Sequence, residues 1–182
     1  MIQFRIQSTP NPQARKYIVN QELKKTGKVS YKSAEECQHV PMAQALLSLA
    51  GVTQVHFYQN TVSVTQDGTV DWAQLDQQVQ QAIRQLMDFH NPDFIDYLSN
   101  PVEKKYLTPE LQKIDAILER TIRPGLQMDG GDLELLELEN HLLTVRYLGA
   151  CGGCPSSMTG TLEAIRGILK SEYDEQIEVV AL

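Results

Sequence analysis

The sequence predicts an α+β fold in two small domains, each a β-sheet covered by helices, and three observations predict it. Two apolar-patterned units flank a stretch that has no sustained period. Each unit places short β-rich runs around a two-residue turn, and each adds segments whose apolar residues recur at helical spacing. At 182 residues, 42% apolar and 21% charged, the chain has an ordinary folded composition with enough length to bury such cores. The expected boundaries are 1–90 for the first domain, 91–107 for a linker and 108–182 for the second. Asn91-Pro92 and Asn100-Pro101 punctuate the linker. Phe89, Phe94, Ile95, Tyr97 and Leu98 predict that part of it docks as one short helix.

In the first unit, Ile2, Phe4 and Ile6 alternate with polar residues, the turn Thr9-Pro10-Asn11-Pro12 follows, and Lys16 to Asn20 returns as a second strand. Pro41 opens a helix in which Ala43, Leu46, Leu47 and Ala50 share a face, with Gly51 at a left-handed cap. Val52 to Tyr58 and Thr61 to Thr65 form a hairpin about Gln59-Asn60. Asp71 caps a long helix whose stripe of Trp72, Leu75, Val79, Ala82, Ile83 and Leu86 covers the sheet as core. The lysines at 24, 25, 28 and 32 have no stacking platform between them. They read as a solvated loop or a weak protein-docking patch.

The second unit is expected in the order α, β, β, α, β. Thr108-Pro109-Glu110 supplies a capping hydroxyl, a first-turn proline and an acid at the positive helix end. Leu111, Ile114, Ile117, Leu118 and Ile122 make that helix's apolar face, and Arg123-Pro124-Gly125 ends it. Strands Leu133 to Glu139 and Leu142 to Leu148 turn at Asn140-His141, and adjacent Leu135 and Leu136 predict a bulge. Met158, Leu162, Ile165 and Leu169 mark the last helix, and Gln176 to Leu182 the last strand.

The net charge of −7 is uneven. Residues 1–106 hold ten basic and ten acidic side chains, and residues 107–182 hold six and thirteen. So acidic a second unit repels phosphates, and nucleic acid is not expected as a partner. No run approaches the roughly 20 apolar residues of a bilayer span, so no membrane partner is expected. The start alternates like a strand and shows no signal or transit pattern, which predicts a cytoplasmic chain. No Ser-His-Asp set, Walker loop or nucleotide fingerprint is present, so hydrolase and nucleotide chemistry find no support and the protein is not expected to be an enzyme.

Chemistry concentrates in Gly149-Ala150-Cys151-Gly152-Gly153-Cys154-Pro155, between a strand and a helix. The spacing of Cys151 and Cys154 turns both sulfurs to one side of a tight loop. Gly152 and Gly153 are expected to supply positive φ angles that bring N–H donors near the sulfurs. Pro155 at the first helical position sets Cys154 near a helix N-terminus, which favours thiolate. Three cysteines make no disulfide framework, and soft thiolates select zinc, copper(I) or iron-sulfur clusters. Iron, as an iron-sulfur cluster, is the expected cargo. Two ligands complete neither a zinc site nor a cluster, and a second copy of the chain is the simplest source of the missing pair. A cluster shared in this way is exposed when the dimer opens, which suits a carrier. The competing readings are a thiol-disulfide oxidoreductase using the same pair and a zinc-binding interaction module. Redox sites of the first kind usually follow an early strand of a βαβ unit, whereas a hairpin precedes this loop.

Beyond that loop, Ile122-Arg123-Pro124, Asp129-Gly130-Gly131-Asp132-Leu133, Pro155-Ser156-Ser157 and Thr161-Leu162 make residues 108–182 closely resemble the NifU-like C-terminal domain of the Nfu family of iron-sulfur scaffold and carrier proteins. Thr9-Pro10-Asn11-Pro12, Gly51-Val52, Val62-Ser63-Val64-Thr65 and Asp71-Trp72 make the first unit resemble, more loosely, the N-terminal domain of many Nfu proteins. Val40-Pro41-Met42-Ala43 stands where that domain often has serine-proline-leucine-alanine, and Glu22 to Gln38 has no counterpart. The resemblance implies an α+β fold for both units and a cluster, 4Fe-4S, bridged in a homodimer by Cys151 and Cys154. It further implies an upstream cluster donor and handover to apo-proteins, with the first unit helping to recognise clients or donors.

Other residues read more plainly. Asp129-Gly130-Gly131-Asp132 lacks the carboxylate spacing of a calcium loop and reads as a glycine turn before a strand. Cys37 and His39 lack a further ligand pair, so Cys37 reads as a buried or surface thiol, and His56, His90 and His141 read as packing or solvated residues.

Overall fold

The computed structural model describes residues 2–95, 108–153 and 155–182 and divides the chain into two compact units, Met1–Ser99 and Asn100–Leu182. Expectations for 96–107, including Tyr97, Leu98 and the short linker helix, fall outside the described residues. No described helix is long and apolar enough to cross a membrane.

In the first unit β1 (Phe4–Ser8), β2 (Ala14–Val19), β3 (Lys24–Tyr31), β4 (Val52–Gln59) and β5 (Thr61–Gln66) form one antiparallel sheet in the order β1-β2-β5-β4-β3. Alternation decides its faces. Tyr17 and Val19 of β2, Val55 and Phe57 of β4, and Val62 and Val64 of β5 join one core with Leu46 of α1 (Pro41–Leu47) and Leu75, Val79 and Ile83 of α2 (Trp72–Leu86). Helix α1 ends before Ala50, so Ala50 does not share its face, while Gly51 takes the expected left-handed conformation (φ 79°). Trp72 packs against the core's edge, its indole N–H donating to the Pro12 carbonyl at 3.1 Å.

Strand β3 is the element the sequence hid. The lysine cluster is no solvated loop: Lys24 and Lys28 belong to this strand, with a register shift between them, and Val29 and Tyr31 turn into the core. Buried Lys24 is satisfied by the Phe94 carbonyl at 2.9 Å and lies 4.5 Å from the centre of the Phe94 ring. Phe94 is itself buried edge-on to Phe57, and the Lys25 amide donates to the Pro92 carbonyl at 3.0 Å. Residues 91–95 therefore dock on the first unit.

Asp71 caps α2 by accepting the Ala73 amide at 2.8 Å. Asp71→Ala is expected to destabilise this unit by about 1 kcal/mol, measured as a lower urea midpoint at unchanged slope.

The second unit runs α3 (Pro109–Thr121), α4 (Arg123–Met128), β6 (Gly131–Glu139), β7 (Leu142–Gly149), α5 (Pro155–Glu172) and β8 (Glu178–Ala181). This is the expected order with one addition. The segment Arg123-Pro124-Gly125 does not simply end α3 but starts the six-residue α4, since a proline in a first turn removes only an N–H that has no helical partner there. Thr108 caps α3 through the Leu111 amide at 3.3 Å. The bulge falls where expected, the register shifting between Leu135 and Glu137, and Asn140 and His141 take the positive φ angles of a tight hairpin turn. Leu133, Leu135, Val145 and Tyr147 join Ile114, Leu118, Ile165 and Leu169 in one core. Strand β8 pairs with β7 in parallel, so β7-α5-β8 is a βαβ crossover.

Candidate metal centre

The loop after β7 is a single 3-10 turn, Ala150–Gly153, leading into α5 at Pro155. Cys151 lies in it, only 6% exposed and part of the hydrophobic core of the second unit. Cys154 lies outside the described residues, as do the side chains from 153 to 158, including that of Met158. Positive φ angles are found at Gly149 (62°), where β7 ends, and Gly130 (82°), just before β6, while Gly152 and Gly153 lie in the 3-10 turn.

A second glycine turn forms the wall of the site. Gly130 accepts the Ala150 amide at 3.1 Å, and Gly131 pairs with Gly149 in the β6–β7 ladder. The Cys151 sulfur packs against Gly131. A Cβ there would overlap that sulfur and stand 2.7 Å from the Leu148 carbonyl and 2.9 Å from the Cys151 Cβ. The glycine turn read from Asp129-Gly130-Gly131-Asp132 is present, but sequence reasoning missed that it is the platform for the thiol.

Behind the platform lies a buried ionic cluster. Arg123 donates through Nη1 to Asp132 Oδ1 at 2.7 Å and to the Leu133 carbonyl at 2.5 Å, and through Nη2 to Asp115 Oδ1 at 2.6 Å. Gln127 donates to the other Asp132 oxygen at 3.0 Å, and Glu119 stands 3.3 Å from Arg123 Nε. Burial disfavours the charge on Arg123, but Asp132 and then Asp115 outweigh it and hold the guanidinium protonated above its usual range. Tyr147 completes the surroundings. Burial first, and nearby Cys151 second, push its hydroxyl up to about 12, against a hydrogen bond with Thr161 that lowers it.

This arrangement can hold a soft cation through a sulfur kept away from water. Among the described residues no three His, Cys, Asp or Glu side chains form a group able to hold a metal. The other sequence candidates do not converge here. Cys37 is buried in the first unit's core, and His39 approaches the Tyr31 hydroxyl at 3.4 Å. His56 bonds Ser30 at 2.8 Å, His90 the Leu23 carbonyl at 2.7 Å, and His141 Asp174 at 2.5 Å. These are packing and pairing roles.

The hairpin before the loop does not exclude an exchange site. Since β7-α5-β8 is a parallel crossover, the cysteine turn does open a βαβ unit, and topology no longer separates it from a thiol-disulfide exchange site. Cys151, being buried, is not open to the in-line attack that exchange needs, whereas Cys154 lies outside the described residues.

Residues 2–90 match the family described as scaffold protein Nfu/NifU N terminal, and residues 114–180 match the NifU-like domain. The relatives include NifU-like protein 4, mitochondrial, of Arabidopsis thaliana, 28% identical over 93% of this chain and 62% of its own length. They also include the NFU1 iron-sulfur cluster scaffold homolog, mitochondrial, of Drosophila willistoni, 26% identical over 96% and 61%. The chain thus spans about three fifths of these relatives' length. A NifU-like protein of Saccharomyces cerevisiae, solved by NMR, aligns with a TM-score of 0.46 at 18% identity, covering 53% of this chain and 87% of that one. The mitochondrial relatives overturn the expectation of a cytoplasmic chain. Its basis was the alternation of Ile2, Phe4 and Ile6, which belongs to the β1 region and reports on folding, not on address.

Proposed function

We propose, from the premise that this chain belongs to the Nfu/NifU family, that it is an iron-sulfur cluster scaffold and carrier and not an enzyme. The cargo is a 4Fe-4S cluster held by Cys151 and Cys154 of two copies of the chain. Four thiolates then complete the coordination that one pair leaves open. An upstream protein donates the cluster, apo-proteins receive it, and the first unit helps to recognise one or the other. The observation that carries this reading is the buried Cys151 sulfur on its glycine platform at the head of α5. Such a seat keeps the free thiol from water, and the loop opens to present it to a cluster shared with a second copy. Gly130 and Gly131 shape the seat, and Pro155 fixes where the helix behind it starts.

Anaerobic reconstitution with iron and sulfide tests the proposal. The expected product is a coloured dimer by native mass spectrometry. Cys151→Ser and Cys154→Ser are each expected to lose the visible absorption. Colour retained by the double variant, or a monomer holding the full cluster without external thiols, would overturn it. The exchange reading keeps one supporting observation, the βαβ position of the turn. It requires a redox-active Cys151–Cys154 disulfide and disulfide reductase activity in metal-free protein.

A further inference from the structure

We infer that the buried Asp115–Arg123–Asp132 cluster is a positioning device for the cysteine loop. It clamps the Gly130-Gly131 platform and thereby fixes where the Cys151 sulfur sits and how far water and reagents reach it. The seat itself is independent of the proposed function; its use in holding a cluster rests on that reading. Two sequence runs with no role in coordination, Ile122-Arg123-Pro124 and Asp129-Gly130-Gly131-Asp132-Leu133, thereby become one structural unit.

The clamp runs through the covalent chain and the hydrogen bonds together. Asp132 is fully buried and directly follows Gly131. Its Oδ1 takes the Arg123 Nη1 and the Leu133 amide, both at 2.7 Å, and its Oδ2 takes Gln127. Arg123 also grips the Leu133 carbonyl and, through Asp115, the body of α3. The start of β6 is thus tied to two helices by bonds that water cannot easily replace. On the other side of the same short segment, Gly130 holds the Ala150 amide and Gly131 carries the sulfur. A shift of β6's first residues is therefore a shift of the thiol's support. A buried ion pair is weak support for stability compared with apolar packing, and its role in this inference is to fix geometry.

The test uses the full chain, free of metal, and follows alkylation of Cys151 by iodoacetamide with peptide mass spectrometry. Asp132→Asn keeps shape but removes the charge that holds Arg123. Leu169→Ala opens a cavity in the same core behind α5 and serves as a control for destabilisation alone, compared at equal unfolding free energy in urea. Cys151 labelling is expected to rise about tenfold or more in Asp132→Asn, through local opening, and less than about twofold in Leu169→Ala at that matched stability. Unchanged labelling in Asp132→Asn, or an equal rise in both variants, would overturn the clamp. Should Asp132→Asn lose its far-UV signal, Gln127→Ala, which removes only one bond to Asp132, replaces it under the same two criteria. Iron and sulfide uptake by the wild-type chain is measured alongside. Its failure sinks the carrier reading and leaves the labelling contrast standing, whereas unchanged labelling sinks the clamp and leaves uptake standing.

Discussion

An Arg123→Met variant is expected to lose about 3–5 kcal/mol of unfolding free energy in the C-terminal unit. Methionine fills much of the same volume, so the loss comes from charge. Asp132 is fully buried and Asp115 nearly so, and both lean on the one guanidinium. Without it, two carboxylates face each other in a core with no cation between them, and the Leu133 carbonyl loses a 2.5 Å donor. Either the acids take up protons or the segment opens to water. The measurement is urea unfolding followed by far-UV circular dichroism, with the first unit's transition as an internal reference. Adding Asp115→Asn and Asp132→Asn to Arg123→Met should recover a large part of the loss, because the unpaired charge is the main cost. A loss below about 1 kcal/mol would place the cluster among the ion pairs that contribute little.

Local signals in the sequence were legible because their physics is local. Asp71 and Thr108 cap the helices they precede, Leu135 and Leu136 mark the bulge, and Asn140-His141 makes the hairpin turn. What stayed hidden depends on partners distant in sequence. Strand β3 offers only Val29 and Tyr31 to the core amid lysines, and Lys24 is tolerated in its buried place because the Phe94 carbonyl and ring meet it from much later in the chain. The parallel pairing of β8 is set by how α5 crosses back, which no periodicity records. Cys151 stood out as a candidate ligand by its spacing from Cys154. Nothing in the spacing shows that Gly131 carries its sulfur, or that Arg123, read as a helix terminator, grips the residue after that glycine.

Gly131→Ala is expected to have the largest effect on cargo binding of any change outside the cysteines. The added methyl would overlap the Cys151 sulfur and stand 2.7 Å from the Leu148 carbonyl. That carbonyl is main chain within β7, with Gly131 itself paired in the ladder opposite Gly149, so this neighbour cannot yield without spoiling the sheet. The sulfur can yield, by swinging away from the wall. Because the carbonyl clash remains when the sulfur moves, the cost in stability is expected to reach about 3 kcal/mol or more, the upper end for small-to-large changes in packed sites, and the thiol's direction changes as well. Because a bridging cluster needs its sulfurs converging, reconstituted absorption per chain should fall about tenfold or more. Gly125→Ala is the matched control. It lies in α4, nothing stands within 4 Å of the place its methyl would take, and alanine there should leave uptake intact and stability equal or slightly higher. Equal uptake by the two variants would mean that the sulfur does not need this wall to bind, and the glycine would return to being only a turn before a strand.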